Sequence, residues 1–286
     1  MAHAFGGAWT ERKLSVVRRY LEIYAQALKN QAFQRVYIDA FAGTGDRTDK
    51  RREALPLLDL PEFEAVAKGS ARLALEVEPP FHRYVLIERA MRRASELTAL
   101  EAEFPNRKIE IINGDANEAI AALCKEINWR NTRGVVFLDP YGLQVTWDTL
   151  KVIAATPALD VWTLFPSGMG LNRLLTKSGD IRQEWQETLD RSLGTRQWRS
   201  AFYRTEAAPD LFEGSRSKTV KDADPMKLEK FYLDRLRTIF PTVMKSPVRL
   251  TNSKDQTMYL LCFASANPSA KVKELATRLA GWATKV

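Results

Sequence analysis

A glycine-rich segment follows the first short apolar run of the sequence and could bind a ligand through its backbone. It reads Asp39-Ala-Phe-Ala-Gly43-Thr-Gly45 and comes directly after the apolar run Arg35–Ala40. Glycines allow a tight turn and a close approach of a ligand to the backbone, because a Cβ atom would block both. The dinucleotide fingerprint G-x-G-x-x-G is not completed here. An ordinary glycine-rich turn is the alternative, but the acid and the aromatic Phe41 at fixed offsets favour a cofactor loop.

Two further acids stand at the ends of the next two predicted strands. Glu88 closes the run Arg83–Glu88, and Asp115 follows Lys108–Asn113 and precedes Ala116. The two oxygens of a carboxylate match the two vicinal hydroxyls of a ribose, so Glu88 could hold a nucleoside. Each acid alone could equally be a solvated loop residue. Because the carboxyl ends of parallel strands face one crevice, where open α/β sheets bind ligands, we expect a shared site.

The fourth predicted strand, Gly134–Asp139, ends in Asp139-Pro140-Tyr141-Gly142. This segment resembles the Asp-Pro-Pro-Tyr motif of amino-methyltransferases that act on adenine. In those enzymes the acid and a neighbouring carbonyl accept hydrogen bonds from the exocyclic amine, the proline fixes the bend, and the aromatic ring stacks on the extruded base. The second proline is absent here and the tyrosine comes one place early. A plain strand-ending turn is the alternative.

Short apolar runs alternate with amphipathic segments along the chain, which predicts βαβ units and a parallel sheet with helices on both faces. An amphipathic helix is predicted over Thr10–Asn30, with Lys13, Arg18 and Arg19 on its solvated face. The fifth strand is predicted over Asp160–Phe165. The later helices are predicted over Ser70–Glu76, Ala90–Ala102, Asn117–Ile127, Thr146–Ala155, Ile181–Leu193, Gln197–Tyr203, Met226–Phe240 and Pro268–Ala283.

Two long segments interrupt this alternation, and a hairpin ends it. Asp46–Lys68 is predicted to be a functional loop, and Pro166–Ala223 an insertion. Val243–Leu250 and Gln256–Ala264 are predicted to form an antiparallel hairpin. Five parallel βα units finished by a hairpin are the plan of a class I methyltransferase.

The fold class that follows is α/β. It is a Rossmann-like class I methyltransferase fold, with a mostly parallel seven-stranded sheet, a C-terminal antiparallel hairpin and a helical insertion after the fifth strand. We expect one domain over residues 1–286. Its parts are an N-terminal helix (1–30), a βα core (31–166), a basic helical insertion (167–224), and a terminal helix, hairpin and helix (225–286).

The pattern Asp-x-Phe-x-Gly-x-Gly resembles the S-adenosylmethionine (SAM) loop of DNA and RNA methyltransferases. That resemblance implies SAM as cofactor, with an acid after the third strand beside the adenine amino group. The cofactor-binding residues would then be Asp39, Phe41, Gly43, Gly45, Glu88, Asp115 and Ala116, and the catalytic residues Asp139, Pro140 and Tyr141.

Four segments together resemble the bacterial three-Cys-motif partner (TcmP) family. They are Tyr37–Gly45, Asn113–Asn117, Phe137–Gly142 and Val161–Pro166 with Asn172-Arg173, and the likeness covers most of residues 10–205. The resemblance implies a methyltransferase-like fold in a bacterial protein. It also points to association with a separate three-Cys-motif protein.

The formal net charge is +8, and its distribution is uneven. Residues 1–150 hold 21 basic and 21 acidic residues, whereas residues 151–286 hold 22 and 14. A basic half suits an anionic partner, nucleic acid first, although a solvated basic surface would look the same. The candidate nucleic-acid-binding residues are Arg173, Arg191, Arg196 and Arg199, the last three interleaved with Trp185, Trp198 and Tyr203. Those aromatics could stack on bases, but Trp185 also lies at helical spacing with Leu189 and Leu193 and could instead be a core residue.

Composition excludes several other classes of protein. The longest apolar runs are far shorter than the roughly 18 residues of a membrane span. The first 13 residues contain no apolar core, so we expect no secretory signal and a cytoplasmic location. Two distant cysteines, Cys124 and Cys262, and only two histidines make a metal site or disulfide framework improbable.

The sequence therefore predicts SAM-dependent methyl transfer to an exocyclic amine of a nucleic-acid base. This chemistry needs alignment more than acid–base catalysis, since the sulfonium is a strong electrophile. A second hypothesis is a SAM-binding or inactive methyltransferase-like scaffold that works with a three-Cys-motif protein. A nicotinamide-dependent oxidoreductase is third, because the glycine fingerprint is incomplete.

Overall fold

The computed structural model describes residues 8–43, 64–208 and 216–285. The strands in these ranges are β1 (Gln34–Asp39), β2 (Arg83–Glu88), β3 (Ile109–Asn113), β4 (Thr132–Leu138), β5 (Leu159–Phe165), β6 (Tyr203–Ala208), β7 (Arg216–Lys221), β8 (Thr242–Val243), β9 (Val248–Thr251) and β10 (Thr257–Ser265). The helices are α1 (Ala8–Ala27), α2 (Glu64–Leu75), α3 (Met91–Glu103), α4 (Ala116–Glu126), α5 (Trp147–Ala154), α6 (Asn172–Leu174), α7 (Gln183–Leu193), α8 (Trp198–Phe202), α9 (Pro225–Arg237) and α10 (Ala270–Ala283). A π-helical turn, Ser167–Leu171, joins β5 to α6.

One large sheet organises the chain. Its strands lie in the order β3-β2-β1-β4-β5-β10-β8, and β9 also pairs with β10. Strands β1 to β5 are parallel. Strand β10 is antiparallel to β5, with Leu260 opposite Phe165 and Ser265 opposite Asp160. This strand order, with an antiparallel strand inserted beside the fifth, is that of a Rossmann-like class I methyltransferase. The predicted fold class is confirmed.

The sheet is buried on both faces by two separate apolar cores. Every residue of β5 is buried, as expected for parallel strands covered by helices on each side. One core includes Ile120 of α4 and Leu150 of α5, and α7, α8 and α9 also pack there. The opposite core includes Val17 of α1 and Ala71 of α2, together with side chains of α3 and α10.

Three predictions differ from the observed structure. Helix α2 begins at Glu64, inside the segment Asp46–Lys68 that was predicted to be a loop; residues 46–63 of that segment lie outside the described residues. The insertion is not wholly helical, because β6 and β7 form an antiparallel two-stranded sheet within it, with Tyr203 opposite Lys221. The predicted strand Val243–Leu250 is divided into β8 and β9, which follow one another along the same edge of β10. Pro247 lies between them and has no N–H to donate to β10, so a continuous ladder cannot form there.

The described helices include none that is long and apolar enough to cross a membrane. Both cysteines are free thiols. Cys262 is fully buried in β10, and burial raises its pKa well above the usual range.

Gly194, which ends α7, gives a test of the packing between the insertion and the core. Its φ is +63°, and an added Cβ atom would lie 2.0 Å from the Trp147 ring atom Cδ1. We expect Gly194→Ala to lower the free energy of unfolding by on the order of 2 kcal/mol, through backbone strain and overpacking. Urea unfolding of the purified variant measures the change.

Gly281→Ala is the matched control. Gly281 lies within α10, and a Cβ atom there would contact nothing within 4 Å. The same substitution should therefore stabilise the protein by about 0.5–1 kcal/mol, because alanine loses less backbone entropy in a helix. Equal effects at the two glycines would contradict the packing described here.

Candidate active site

The candidate site lies at the carboxyl edge of the sheet, where the strand order reverses between β1 and β4. These two strands are neighbours, with Asp39 opposite Phe137, but the chain proceeds from them in opposite directions across the sheet. The backbone N–H of Ala40 still donates to the carbonyl of Phe137 at 3.0 Å, so the two strand ends are held together. Open α/β sheets form their ligand crevice at such a reversal.

Asp39 is fully buried beneath the glycine loop and organises that loop. Its Oδ1 accepts a hydrogen bond from the backbone N–H of Phe41 at 3.3 Å, and its Oδ2 accepts one from the Tyr37 hydroxyl at 3.2 Å. The hydroxyl of Ser70 in α2 is a third donor. Phe41 is partly buried against the core on the other face of the sheet. Asp39 thus shapes the turn from within, and Gly45 lies outside the described residues.

Burial dominates the ionisation of this acid. Desolvation raises the pKa of Asp39 to about 7; the charge of Asp139 raises it further, and the hydrogen bonds from Ser70, Phe41 and Tyr37 act in the opposite direction. Burial also raises the pKa of Tyr37 well above its usual value, with Asp39 the next cause. Near neutral pH, Asp39 is therefore poised between its neutral and charged forms.

Glu88, at the end of β2, presents one carboxylate oxygen toward the glycine loop. Its Oε1 accepts hydrogen bonds from the backbone N–H of Ala90 at 2.7 Å and from Nη1 of Arg93 at 2.6 Å. Its Oε2 accepts none from the residues that the structure describes. A Cβ atom added to Gly43 would lie 2.2 Å from that oxygen. Glycine is therefore needed at position 43 for the loop to pass over the acid.

Asp115 has a structural role that the sequence reading did not include. It is the N-cap of α4, and its Oδ1 accepts hydrogen bonds from the backbone N–H groups of Asn117 and Glu118 at 2.9 and 3.4 Å. An N-cap acid satisfies the first unpaired donors of a helix. Its side chain remains 34% exposed, with Oδ2 3.9 Å from Arg89. Ala116 is buried as the first residue of α4.

Asp139 follows β4 and forms an ion pair with Lys13 of α1. Lys13 Nζ lies 2.5 Å from Asp139 Oδ2, and the two side chains are only 1% and 12% exposed. The prediction that Lys13 lies on the solvated face of the first helix is wrong. The helical period explains the error, since position 13 precedes Val17, Tyr20 and Tyr24 on the buried face.

The residues after Asp139 connect the end of β4 to the glycine loop. Pro140 is buried, and the Tyr141 hydroxyl donates a long hydrogen bond of 3.4 Å to the Gly43 carbonyl. Gly142 has a φ of +67°, a left-handed conformation that glycine adopts without a Cβ penalty. The tyrosine that replaces the usual second proline therefore bridges two site loops.

The four candidate arginines are all exposed, but they differ in their partners. Arg196 forms an ion pair with Asp190 at 3.0 Å, and Arg199 donates a hydrogen bond to Gln186. Among the described residues, Arg173 and Arg191 have no ion-pair partner. The hydroxyl of Ser192 in α7 donates to the Leu143 carbonyl at 3.0 Å, which places the end of α7 beside the loop that carries Asp139.

The aromatic residues of the insertion are mainly structural. Trp198 is fully buried, and its Nε1 donates to Asp190 at 2.7 Å. The predicted stacking of Trp198 on a base is therefore wrong. Trp185 is partly buried against the core, and the Tyr203 hydroxyl donates to the Thr176 carbonyl. The helical spacing of Trp185 with Leu189 and Leu193 was the sequence signal that favoured a core position for Trp185.

These residues fit the nucleoside end of SAM. Glu88 is only 5% exposed, and its Oε2 accepts no hydrogen bond from the residues that the structure describes. A ribose hydroxyl would supply one. No group of three potential metal ligands occurs among the described residues.

Arg93, Ser70 and Lys13 were missed by sequence reasoning. The first two contact Glu88 and Asp39, but they come from helices whose docking no local motif predicts. Lys13 alone had a usable signal, its place in the apolar period of α1.

No protein-family model matches this chain, and no curated protein matches it. Solved structures include a Legionella pneumophila protein with 13% identity and a TM-score of 0.47, over 99% of this chain and 93% of that one. The 23S rRNA methyltransferase ErmE has 14% identity and a TM-score of 0.28, over 73% and 70%. A methyltransferase from Geobacter sulfurreducens has 15% identity and a TM-score of 0.28, over 72% and 78%. The fold assignment therefore rests on the strand order.

The raised pKa of Asp39 predicts a specific pH dependence of stability. Between pH 4 and 7 the folded protein retains a proton on Asp39 that the unfolded chain, with an ordinary pKa of 3.8, has released. This contribution to stability is present below about pH 4 and is lost as the pH rises through about 7. Asp39→Asn stays neutral, so its stability relative to the parent should rise by about 1.4 kcal/mol per pH unit in that window.

Urea unfolding of both proteins at pH 4.5, 6 and 8 measures this difference. The shared acidic groups cancel in the comparison. A difference that stays constant from pH 4.5 to 8 would show that Asp39 does not titrate in this range.

Proposed function

We propose that this protein is a SAM-dependent methyltransferase that acts on an exocyclic amine of a nucleic-acid base. The observation that carries the proposal is the state of Asp139. Its Oδ2 is held by Lys13, while its Oδ1 accepts no hydrogen bond from the described residues. A carboxylate with one fixed and one available oxygen at the ligand crevice suits an amine that must be oriented.

Glu88 would hold the nucleoside part of the cofactor, with its Oε2 accepting from a ribose hydroxyl. When bound, SAM would supply an electrophilic methyl group on its sulfonium; the amine nitrogen would accept it, S-adenosylhomocysteine would leave, and the amine proton would pass to water. Asp139 would orient the amine through its N–H. Tyr141, beside the loop carbonyl of Gly43, would border both ligands.

Charge supports a nucleic-acid substrate. The excess of basic residues lies in residues 151–286, and the insertion packs against the loop after β4 through Ser192. Arg173 and Arg191 are exposed without acidic partners in the described structure, so each is available for a phosphate.

A scaffold function is the second candidate, favoured by one specific observation. Each site acid has one carboxylate oxygen paired with a cation of the protein itself: Glu88 pairs with Arg93, and Asp139 pairs with Lys13. A methyltransferase-like chain that binds SAM without transferring its methyl group would tolerate such pairs. The resemblance to three-Cys-motif partner proteins fits this candidate too, with a three-Cys-motif protein as the partner.

Two variants separate cofactor binding from catalysis. Glu88→Gln should weaken SAM binding about tenfold or more, because it loses a charged acceptor for the ribose. Asp139→Asn should bind SAM like the parent but lose nearly all methyl transfer, since an amide turns a donor toward the amine. Calorimetry with SAM and transfer of labelled methyl to mixed DNA and RNA measure the two properties.

Glu110→Gln is the control for Glu88. Glu110 lies in β3, away from the crevice, and forms an ion pair with Arg83 of β2. The assay includes a three-Cys-motif protein, whose absence could mimic inactivity. SAM binding without methyl transfer by the parent under these conditions would favour the scaffold. Normal SAM binding by Glu88→Gln would remove the cofactor assignment.

Nucleic-acid affinity should fall steeply with salt, and Arg191 should contribute to that slope. Loss of one phosphate contact in Arg191→Gln should lower the slope of log K against log salt by about 0.7–0.9. Arg130→Gln is the control, because Arg130 is exposed but precedes β4 at the opposite edge of the sheet. Filter binding over a salt series measures both. Equal slopes for the two variants would place the nucleic acid elsewhere.

A further inference from the structure

We propose that Lys13 is a positioning residue for methyl transfer: its ammonium holds one oxygen of Asp139 so that the other faces the target amine. The inference rests on the proposed function and adds to it a residue from the first helix, 126 positions away from the acid.

The geometry around Lys13 leaves its ammonium little freedom. Nζ lies 2.5 Å from Asp139 Oδ2, and the Lys13 side chain is 1% exposed. The same atom lies 5.7 Å from the centroid of the Trp9 ring and 5.9 Å from that of Phe137. Aromatic faces attract a cation at such distances. One carboxylate and two rings therefore surround the charge.

Stability alone does not account for this pair. A buried ion pair is often no more stable than well-packed apolar residues of similar size, because both charges lose their hydration. Position 13 belongs to the buried face of α1, where Val17, Tyr20 and Tyr24 pack. An apolar residue would suit that face, so a lysine at a position that reaches Asp139 indicates a role in the site.

Lys13 also acts on the charge of the acid. The ionisable groups that face Asp139 are Lys13 from α1 and Asp39 and Tyr37 from β1. Two neighbouring carboxylates favour protonation of one of them, and a protonated acid is a poor acceptor for an amine. The ammonium of Lys13 offsets the negative charge of Asp139, whereas burial raises the pKa of Asp39 to about 7.

Lys13→Met tests the inference through kinetics. The variant should bind SAM as the parent does and keep its KM for nucleic acid, while kcat at pH 7 falls on the order of 100-fold. Lys13→Arg, which keeps a cation beside Asp139, should recover part of the lost kcat. Arg19→Met is the control, because it removes an equal charge from the exposed face of the same helix.

Each outcome decides a different point. An active parent beside an equally active Lys13→Met, or a loss that appears in KM or in SAM binding and not in kcat, overturns the role of Lys13 alone. A parent that is inert with the partner protein and a wide nucleic-acid panel overturns the proposed function and this inference with it. If Lys13→Met does not fold, Lys13→Leu, which also removes the ammonium, carries the same kcat and KM measurements.

Discussion

Two aspartates, Asp39 at the end of β1 and Asp139 just after β4, lie where the strand order reverses, the first fully buried and the second 12% exposed at its side chain. Charged carboxylates in a low-dielectric interior need either a proton or a counter-ion. Asp39 is surrounded by hydroxyl and backbone donors and has a pKa raised to about 7 by burial. Asp139 receives the ammonium of Lys13. The docking of α1 across the sheet, and the course of the loop above Asp39, both follow from this requirement.

Glu88, the acid at the end of β2, lies in contact with the glycine loop. Arg93 and the N–H of Ala90 hold one oxygen of Glu88, which leaves the other beneath Gly43. The close approach at Gly43 makes the loop and the acid a single unit, since a side chain there would displace the carboxylate. The shape of the loop and the position of the Glu88 carboxylate are therefore coupled: a change at either residue should alter both.

The insertion extends this site on the side of β4. Its apolar residues, including the buried Trp198, complete the core that covers one face of the sheet. Arg191 lies on α7, which is anchored to the loop after Asp139 by Ser192 and by the contact of Gly194 with Trp147. Under the proposed function, this basic surface would position a long anionic substrate while the reacting base enters the crevice.

Local pattern was enough to determine the fold class and the strand ends that form the site. Apolar runs of about six residues, alternating with helical periods, specify buried parallel strands, and the acids at their ends must then share one edge. Partners contributed by distant helices were decided only by tertiary structure. Lys13, Ser70 and Arg93 reach Asp139, Asp39 and Glu88 because of how α1, α2 and α3 dock. The same is true of the hairpin in the insertion, whose strands Tyr203–Ala208 and Arg216–Lys221 are too polar to show a buried alternation. Strand ends depend on neighbouring residues in the chain, whereas ion pairing and burial depend on packing between segments far apart in sequence.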